Sequence, residues 1–192
     1  MKKIGKILVA NRSEIAIRVM RAAAELDIAS VAIYSEEDRF ALHRFKAAQA
    51  YRIGKDCSPV QAYLQIDEIV QVAVRSGVDA VHPGYGFLSE SPDFATACIS
   101  AGLMFIGPSP EVMRRLGNKV QARALAQEHH VPVMPATDAL PSDPAAVRAQ
   151  ANAIGYPLML KASWGGGGRG MRVIENDADL DAMVDIGRRE AD

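Results

Sequence analysis

Cysteine is nearly missing from this chain: Cys57 and Cys98 are the only two in 192 residues. They show neither metal-ligand spacing nor a disulfide framework, which fits a reducing compartment. Net charge is nearly missing too. The 22 Lys and Arg stand against 23 Asp and Glu, a formal charge of -1, so the electrostatic footprint of a nucleic-acid binder is absent. No apolar run approaches the length of a bilayer span. The N-terminus enters a strand pattern almost at once (residues 4–10), leaving no room for a signal or transit peptide, and a cytoplasmic location is expected. Two nucleotide signatures are also lacking. Asn11-Arg12-Ser13-Glu14, after the first strand pattern, has no three-glycine dinucleotide fingerprint, and no glycine loop closes in Gly-Lys-Ser/Thr.

What is there is a composition of 49% apolar and 23% charged residues, ordinary for a globular protein and enough for one domain plus part of another. One run stands out: Lys161-Ala162-Ser163-Trp164-Gly165-Gly166-Gly167-Gly168-Arg169-Gly170-Met171. It follows an apolar strand pattern at residues 156–160 and precedes another at 171–174. Glycine lets backbone N–H groups approach an anion closely. Lys161 and Arg169 flank the run, so it reads as a loop over the phosphates of a nucleotide. The competing reading is a flexible linker, but such linkers are rich in serine and lack a strand on each side.

The first half alternates strand patterns (6–10, 30–34, 51–53, 79–82, 103–106) with helix patterns (after Asn11, 66–75, 92–101). That order predicts βαβ units and a parallel sheet. Ligands of such sheets gather outside the carboxyl ends of the strands. Three loops therefore qualify: residues 11–14, the charged turn at 35–38, and residues 83–87. Asn11 with Glu14 three residues on forms a possible capping box, with Ser13 as a competing cap. The following helix carries Ile15, Val19, Ala22, Ala23 and Leu26 as its apolar set. Prolines at 108 and 110 mark a boundary. Helix patterns follow at 110–116 and 119–129, then a new unit from Val131 with helix (143–154), strand, glycine run, strand and helix (177–190). The chain stops inside that last helix without a stop signal, which reads as truncation.

Each candidate has a plainer alternative. Lys161 at a strand end could reach a phosphate as a point charge, or be a surface lysine. Lys119 opens a helix against the dipole preference, which suits a ligand contact, or is a solvated helix start. Tyr85, between Gly84 and Gly86, could present its ring and hydroxyl to a small heterocycle, or simply pack in its loop. His129-His130 has poor geometry for a metal, since helical neighbours face different ways. Met20, Met104, Met113, Met134, Met159 and Met183 read as core filler. Met171, next to the glycine run, could pack on a purine.

Together the segments 7–16, 82–90, 105–108 and 161–173 resemble the N-terminal part of biotin carboxylase. The resemblance covers essentially the whole chain. Residues 58–64 and Trp164 before the glycines are most similar to the pyruvate carboxylase branch; the acetyl-CoA and other acyl-CoA carboxylases are the alternatives. The resemblance implies an α/β chain in three parts. A Rossmann-like pre-ATP-grasp domain with a parallel sheet spans residues 1–108, and a helical connection spans 109–132. The start of an ATP-grasp domain, a truncated α+β lid, spans 133–192. It implies ATP contacts at Lys119, Lys161, Gly165, Gly166, Gly167, Gly168, Arg169, Gly170 and Met171, and a position near biotin for Tyr85. Asn118 departs from a frequent aspartate. The implied reaction activates bicarbonate with ATP and carboxylates biotin on a carrier. Magnesium ligands and catalytic residues are expected downstream of Asp192, so none is assigned here and the isolated chain is expected to be inactive. Implied partners are the biotin carrier, a carboxyltransferase and further copies of the parent chain, with no nucleic acid or membrane. A non-catalytic nucleotide-binding or carboxylase-pairing module and a different ATP-grasp ligase remain as competing functions.

Overall fold

The computed structural model describes residues 3–161 and 171–191. The chain divides into two compact units, Met1–Met113 and Arg114–Asp192.

The first unit is built on five parallel strands: β1 (Lys6–Val9), β2 (Ala29–Tyr34), β3 (Gln49–Arg52), β4 (Ala80–His82) and β5 (Met104–Phe105), in the order β3-β2-β1-β4-β5. Side chains alternate across the sheet. Leu8, Val31, Ile33 and Val81 enter one core, and Ile7, Val9, Ala32 and Ala80 enter the other. Both faces are apolar because both carry helices, as parallel sheets require. The helices are α1 (Ser13–Glu25), α2 (Leu42–Lys46), α3 (Pro59–Ala62), α4 (Ile66–Arg75) and α5 (Pro92–Ser100). The larger core takes Ile69, Val72 and Ala73 of α4 with Phe94 and Cys98 of α5. There Phe94 meets Phe105 edge to face, with ring centroids 5.9 Å apart. Replacing a core residue such as Leu8 by Ala would cost about 2–5 kcal/mol.

Helix α1 packs differently from the sequence expectation. Ala16, Met20 and Ala23 are its buried residues, while Leu26 is 70% exposed and sits at the C-cap. The expected caps also fail: Arg12 is the N-cap residue and makes no side-chain cap bond. The charged turn is a 3-10 helix at Glu37–Phe40, and its Asp38 is buried. Two short helices, α2 and α3, were not expected at all; one or two turns carry no readable period. The last turn of α5 ends before Gly102, whose φ of +76° suits glycine.

Helix α6 (Pro110–Gly117) runs across the division between the units. The second unit continues with α7 (Lys119–Glu128), α8 (Pro144–Ile154), an antiparallel ribbon of β6 (Leu158–Leu160) and β7 (Arg172–Ile174), and α9 (Leu180–Ala191). Its core is small: Val147, Ala151, Ile174, Leu180 and Val184, with Leu158 and Leu160 packed against it. Arg123 of α7 holds the segment after the helix, donating to the carbonyls of Ala136 (2.5 Å) and Thr137 (3.0 Å) and to Asp138. Not all methionines fill the core. Met20 does, but Met104, Met134 and Met159 are 40%, 85% and 45% exposed. Met159 lies between Leu158 and Leu160 but, like its partner Val173 (49% exposed), faces away from that small core. Among the described residues, no helix is long and apolar enough to cross a membrane.

Candidate functional site

Strand order reverses between β1 and β4, because the chain runs β1-β2-β3 to one side and adds β4 and β5 on the other. A crevice opens at such a switch point, beyond the carboxyl ends of the two strands. Two of the three suspected loops meet there. Asn11, at the end of β1, is buried and donates both amide protons across the gap, to the carbonyls of Pro83 and Tyr85, each at 2.8 Å. Its Oδ1 accepts from the Arg12 backbone N–H at 2.9 Å. Gly84, at φ +68°, makes this possible: a Cβ there would lie 2.7 Å from the Asn11 Nδ2. The Gly84 N–H donates to Nδ1 of His82, whose pKa burial lowers from its ordinary value.

Tyr85 rises from this anchored loop with its side chain exposed, and its hydroxyl donates to Glu14 Oε2 at 2.9 Å. That bond, and then the carboxylate's charge, raise the phenol pKa; Arg18 opposes them. Beside it lies the third loop. Arg12 Nη2 meets Asp38 Oδ1 at 2.5 Å, and Asp38 Oδ2 accepts from the Tyr63 hydroxyl at 2.7 Å. The Tyr63 oxygen in turn accepts from the Ser35 N–H at 3.3 Å. Burial first, and then the bond to Asp38, push the Tyr63 phenol well above its ordinary value. The carboxyl edge thus combines a clamped loop, an exposed tyrosine and a chain in which a partly exposed arginine meets a buried aspartate and tyrosine. Glu14 and Asp38 lie in the suspected loops but had no binding role assigned from sequence, and Tyr63 was outside those loops. The spacing of Asn11 and Glu14 was a signal, but it read as a cap.

The second unit carries the other candidates. Pairing of Leu160 with Arg172 makes Lys161 and Met171 the next residues out at one end of the ribbon. Lys161 is exposed and Met171 is 46% exposed, so an ammonium and a thioether are both open to solvent at that end. The run between them, with Gly165, Gly166, Gly167, Gly168, Arg169 and Gly170, lies outside the described residues. Lys119 is exposed at the first position of α7. Asn118 caps that helix, its Oδ1 accepting from Val120 N (3.0 Å) and Gln121 N (3.1 Å). Asparagine caps as well as aspartate, so the departure at 118 leaves the start of α7 intact. Tyr85 belongs to the first unit and these groups to the second. Among the described residues, no three His, Cys, Asp or Glu gather in a group that could hold a metal ion.

Comparison with known proteins gives two family matches. Residues 3–113 match the biotin carboxylase N-terminal domain, and residues 118–192 match the ATP binding domain of the carbamoyl-phosphate synthase L chain. Mitochondrial pyruvate carboxylase of Mus musculus is 56% identical over 94% of this chain, which spans only 15% of that protein. A Rhizobium etli pyruvate carboxylase structure with acetyl coenzyme-A superposes at a TM-score of 0.90, with 59% identity over 99% of this chain and 17% of that one. The biotin carboxylase domain of Hydrogenobacter thermophilus 2-oxoglutarate carboxylase, in complex with MgADP, ADP and bicarbonate, gives 0.93 and 42% identity, over all of this chain and 42% of that one.

Proposed function

Because the chain belongs to the biotin carboxylase N-terminal domain family, we propose that it is the front portion of an ATP-dependent biotin carboxylase, of the kind that serves pyruvate carboxylation. The parent reaction uses ATP to activate bicarbonate and carboxylates biotin on a carrier. In this reading residues 1–108 are the pre-ATP-grasp domain, 109–132 a helical connection, and 133–192 the start of the ATP-grasp. The pyruvate branch is supported by the relatives of 56% and 59% identity. A biotin carrier and a carboxyltransferase are the partners, further copies of the parent chain assemble with it, and the compartment is the cytoplasm.

One observation carries the reading. The ribbon register sets Lys161 and Met171 side by side at the two ends of a glycine-rich run. Lys161 and Lys119 are assigned to the phosphates as point charges, and Met171 to the adenine, where a thioether packs well on a ring. The backbone N–H groups and Arg169 of the run 165–170 complete the phosphate cover. Tyr85 is assigned to the biotin site. Bound ATP supplies the phosphoryl group that activates bicarbonate, and magnesium offsets phosphate charge. In this reading the magnesium ligands lie downstream of Asp192.

Titration of the chain and of its Lys161→Ala variant with a fluorescent ATP analogue tests this. Loss of one charge-assisted phosphate contact, about 1.5–3 kcal/mol, should weaken binding roughly 10- to 100-fold. Equal affinity of the two overturns the assignment. The chain alone should show no bicarbonate-dependent ATP cleavage.

A further inference from the structure

Asn11 and Glu14 have the spacing of a capping box, yet neither caps α1. Their polar atoms go to a loop 71 to 74 positions away in the chain. Asn11 spends its whole amide on the arrangement: two protons on the carbonyls of Pro83 and Tyr85, and its oxygen on the Arg12 N–H. Ser13 takes a φ of +53° at the first position of α1, and Phe87 takes +43°. Both are positive-φ backbones that non-glycine residues rarely hold unless their surroundings impose them. The strain therefore brackets the contact from both sides.

Tyr85 itself has little packing to orient it, being 62% exposed. Its backbone is tied by Asn11 and the far end of its side chain by Glu14. We propose that Glu14 is a positioning residue for Tyr85, fixing the ring through its hydroxyl while Asn11 fixes the loop beneath. One chemical consequence follows. With its proton given to Glu14, the phenol oxygen offers an incoming ligand an acceptor and not a donor. The ring then presents an apolar face beside a hydrogen-bond acceptor. That pairing suits a neutral heterocycle bearing N–H groups, the ureido ring of biotin in the reading above. The functional consequence rests on that reading; the positioning does not.

The test has two arms. In the first, the chain is labelled with 3-fluorotyrosine, whose phenol titrates at milder pH, and followed by ¹⁹F NMR, with Tyr85→Phe identifying the resonance. Glu14→Ala and Glu14→Gln should both lower the Tyr85 midpoint, because both remove the carboxylate, while Arg18 stays in place. An unmoved midpoint overturns the positioning. In the second arm, the same substitutions are made in the carboxylase that carries this chain. Glu14→Ala should raise the KM for biotin about fivefold, the size of one exposed hydrogen bond, with the KM for ATP unchanged. Glu14→Gln keeps an acceptor and should restore most of the loss. Glu14→Ala should add nothing on top of Tyr85→Phe. A shifted midpoint with an unmoved biotin KM upholds the positioning and removes Tyr85 from the biotin site. Glu14 is exposed, so an unchanged thermal midpoint separates this from a folding defect.

Discussion

Arg12 and Asp38 stand 26 positions apart in sequence and meet at 2.5 Å beyond the ends of β1 and β2. Asp38 is the hub, since its other oxygen accepts from Tyr63. Replacing it by Ala leaves a cation and a buried hydroxyl without their acceptor. A fully buried pair loses about 3–5 kcal/mol when one partner goes. Solvent at Arg12, whose side chain is 37% exposed, lowers the expected loss for Asp38→Ala to about 2 kcal/mol. Tyr63→Phe removes one arm only and should cost about 1 kcal/mol. Urea unfolding of both variants checks the order. If Asp38→Ala costs no more than Tyr63→Phe, the Arg12 arm carries nothing.

Acid should weaken the first unit through the buried His43 and the partly buried His82. Burial lowers the His43 pKa from its ordinary value near 6.5, and the Nε2 contact with the Ile33 carbonyl (3.1 Å) only partly opposes this. The folded state therefore binds fewer protons than the unfolded chain once pH falls toward 6.5. The contribution is complete above about pH 6.5 and is lost as pH falls through the lowered folded value; His82 acts with the same sign. Urea midpoints at pH 7.5 and pH 5 should differ, with the higher stability at pH 7.5. His43→Gln should narrow that gap. An unchanged gap would assign the acid sensitivity elsewhere.

The two glycines around Tyr85 should respond differently to alanine. Both have positive φ, +68° at Gly84 and +66° at Gly86. A Cβ at Gly86 meets nothing within 4 Å, so Gly86→Ala carries only the conformational penalty, about 1–2 kcal/mol. A Cβ at Gly84 runs into the Asn11 amide, at 2.7 Å from Nδ2. Gly84→Ala should therefore cost more than Gly86→Ala and displace the Tyr85 loop as well. Amide chemical shifts of residues 83–87 read the displacement. Equal effects would mean that Asn11 gives way freely.

Thiol labelling should separate the two cysteines. Cys98 is buried in α5, and burial pushes its thiol up to about 11. Cys57 is only partly buried. A thiol reagent at pH 8 should modify Cys57 first and reach Cys98 only as the first unit opens. Fast modification of both in native buffer would show that the core around Phe94 breathes more than its packing implies.

Sequence patterning located the elements that carry long apolar periods or a clear stop. Helix α4 is found where periodicity and Gly77 set it, at Ile66–Arg75, and the buried strands lie within a residue or two of their expected ends. Short elements escaped, because α2 and α3 are too brief to repeat. The polar centre escaped for another reason. The turn at 35–38 was suspected only as a loop at the sheet's carboxyl edge, and nothing local shows that Asp38 is buried; only the convergence of Arg12 and Tyr63 from distant positions makes that possible. Asn11 and Glu14 were noticed but given local partners, since a helix cap is the nearest use for that spacing. Of the two uses the sequence left open for Tyr85, a presented ring or a packed loop residue, the 62% exposure of its side chain favours the first.

The ribbon of β6 and β7 has a mechanical consequence. Lys161 and Met171 follow directly on the last paired residues of the ribbon, Leu160 and Arg172, which one small apolar cluster backs. Any tilt of that ribbon on its helices would carry the backbones of both residues together, because the antiparallel pairing ties the two strands. For the ligand proposed above, two contacts would then tighten or slacken in a single stroke.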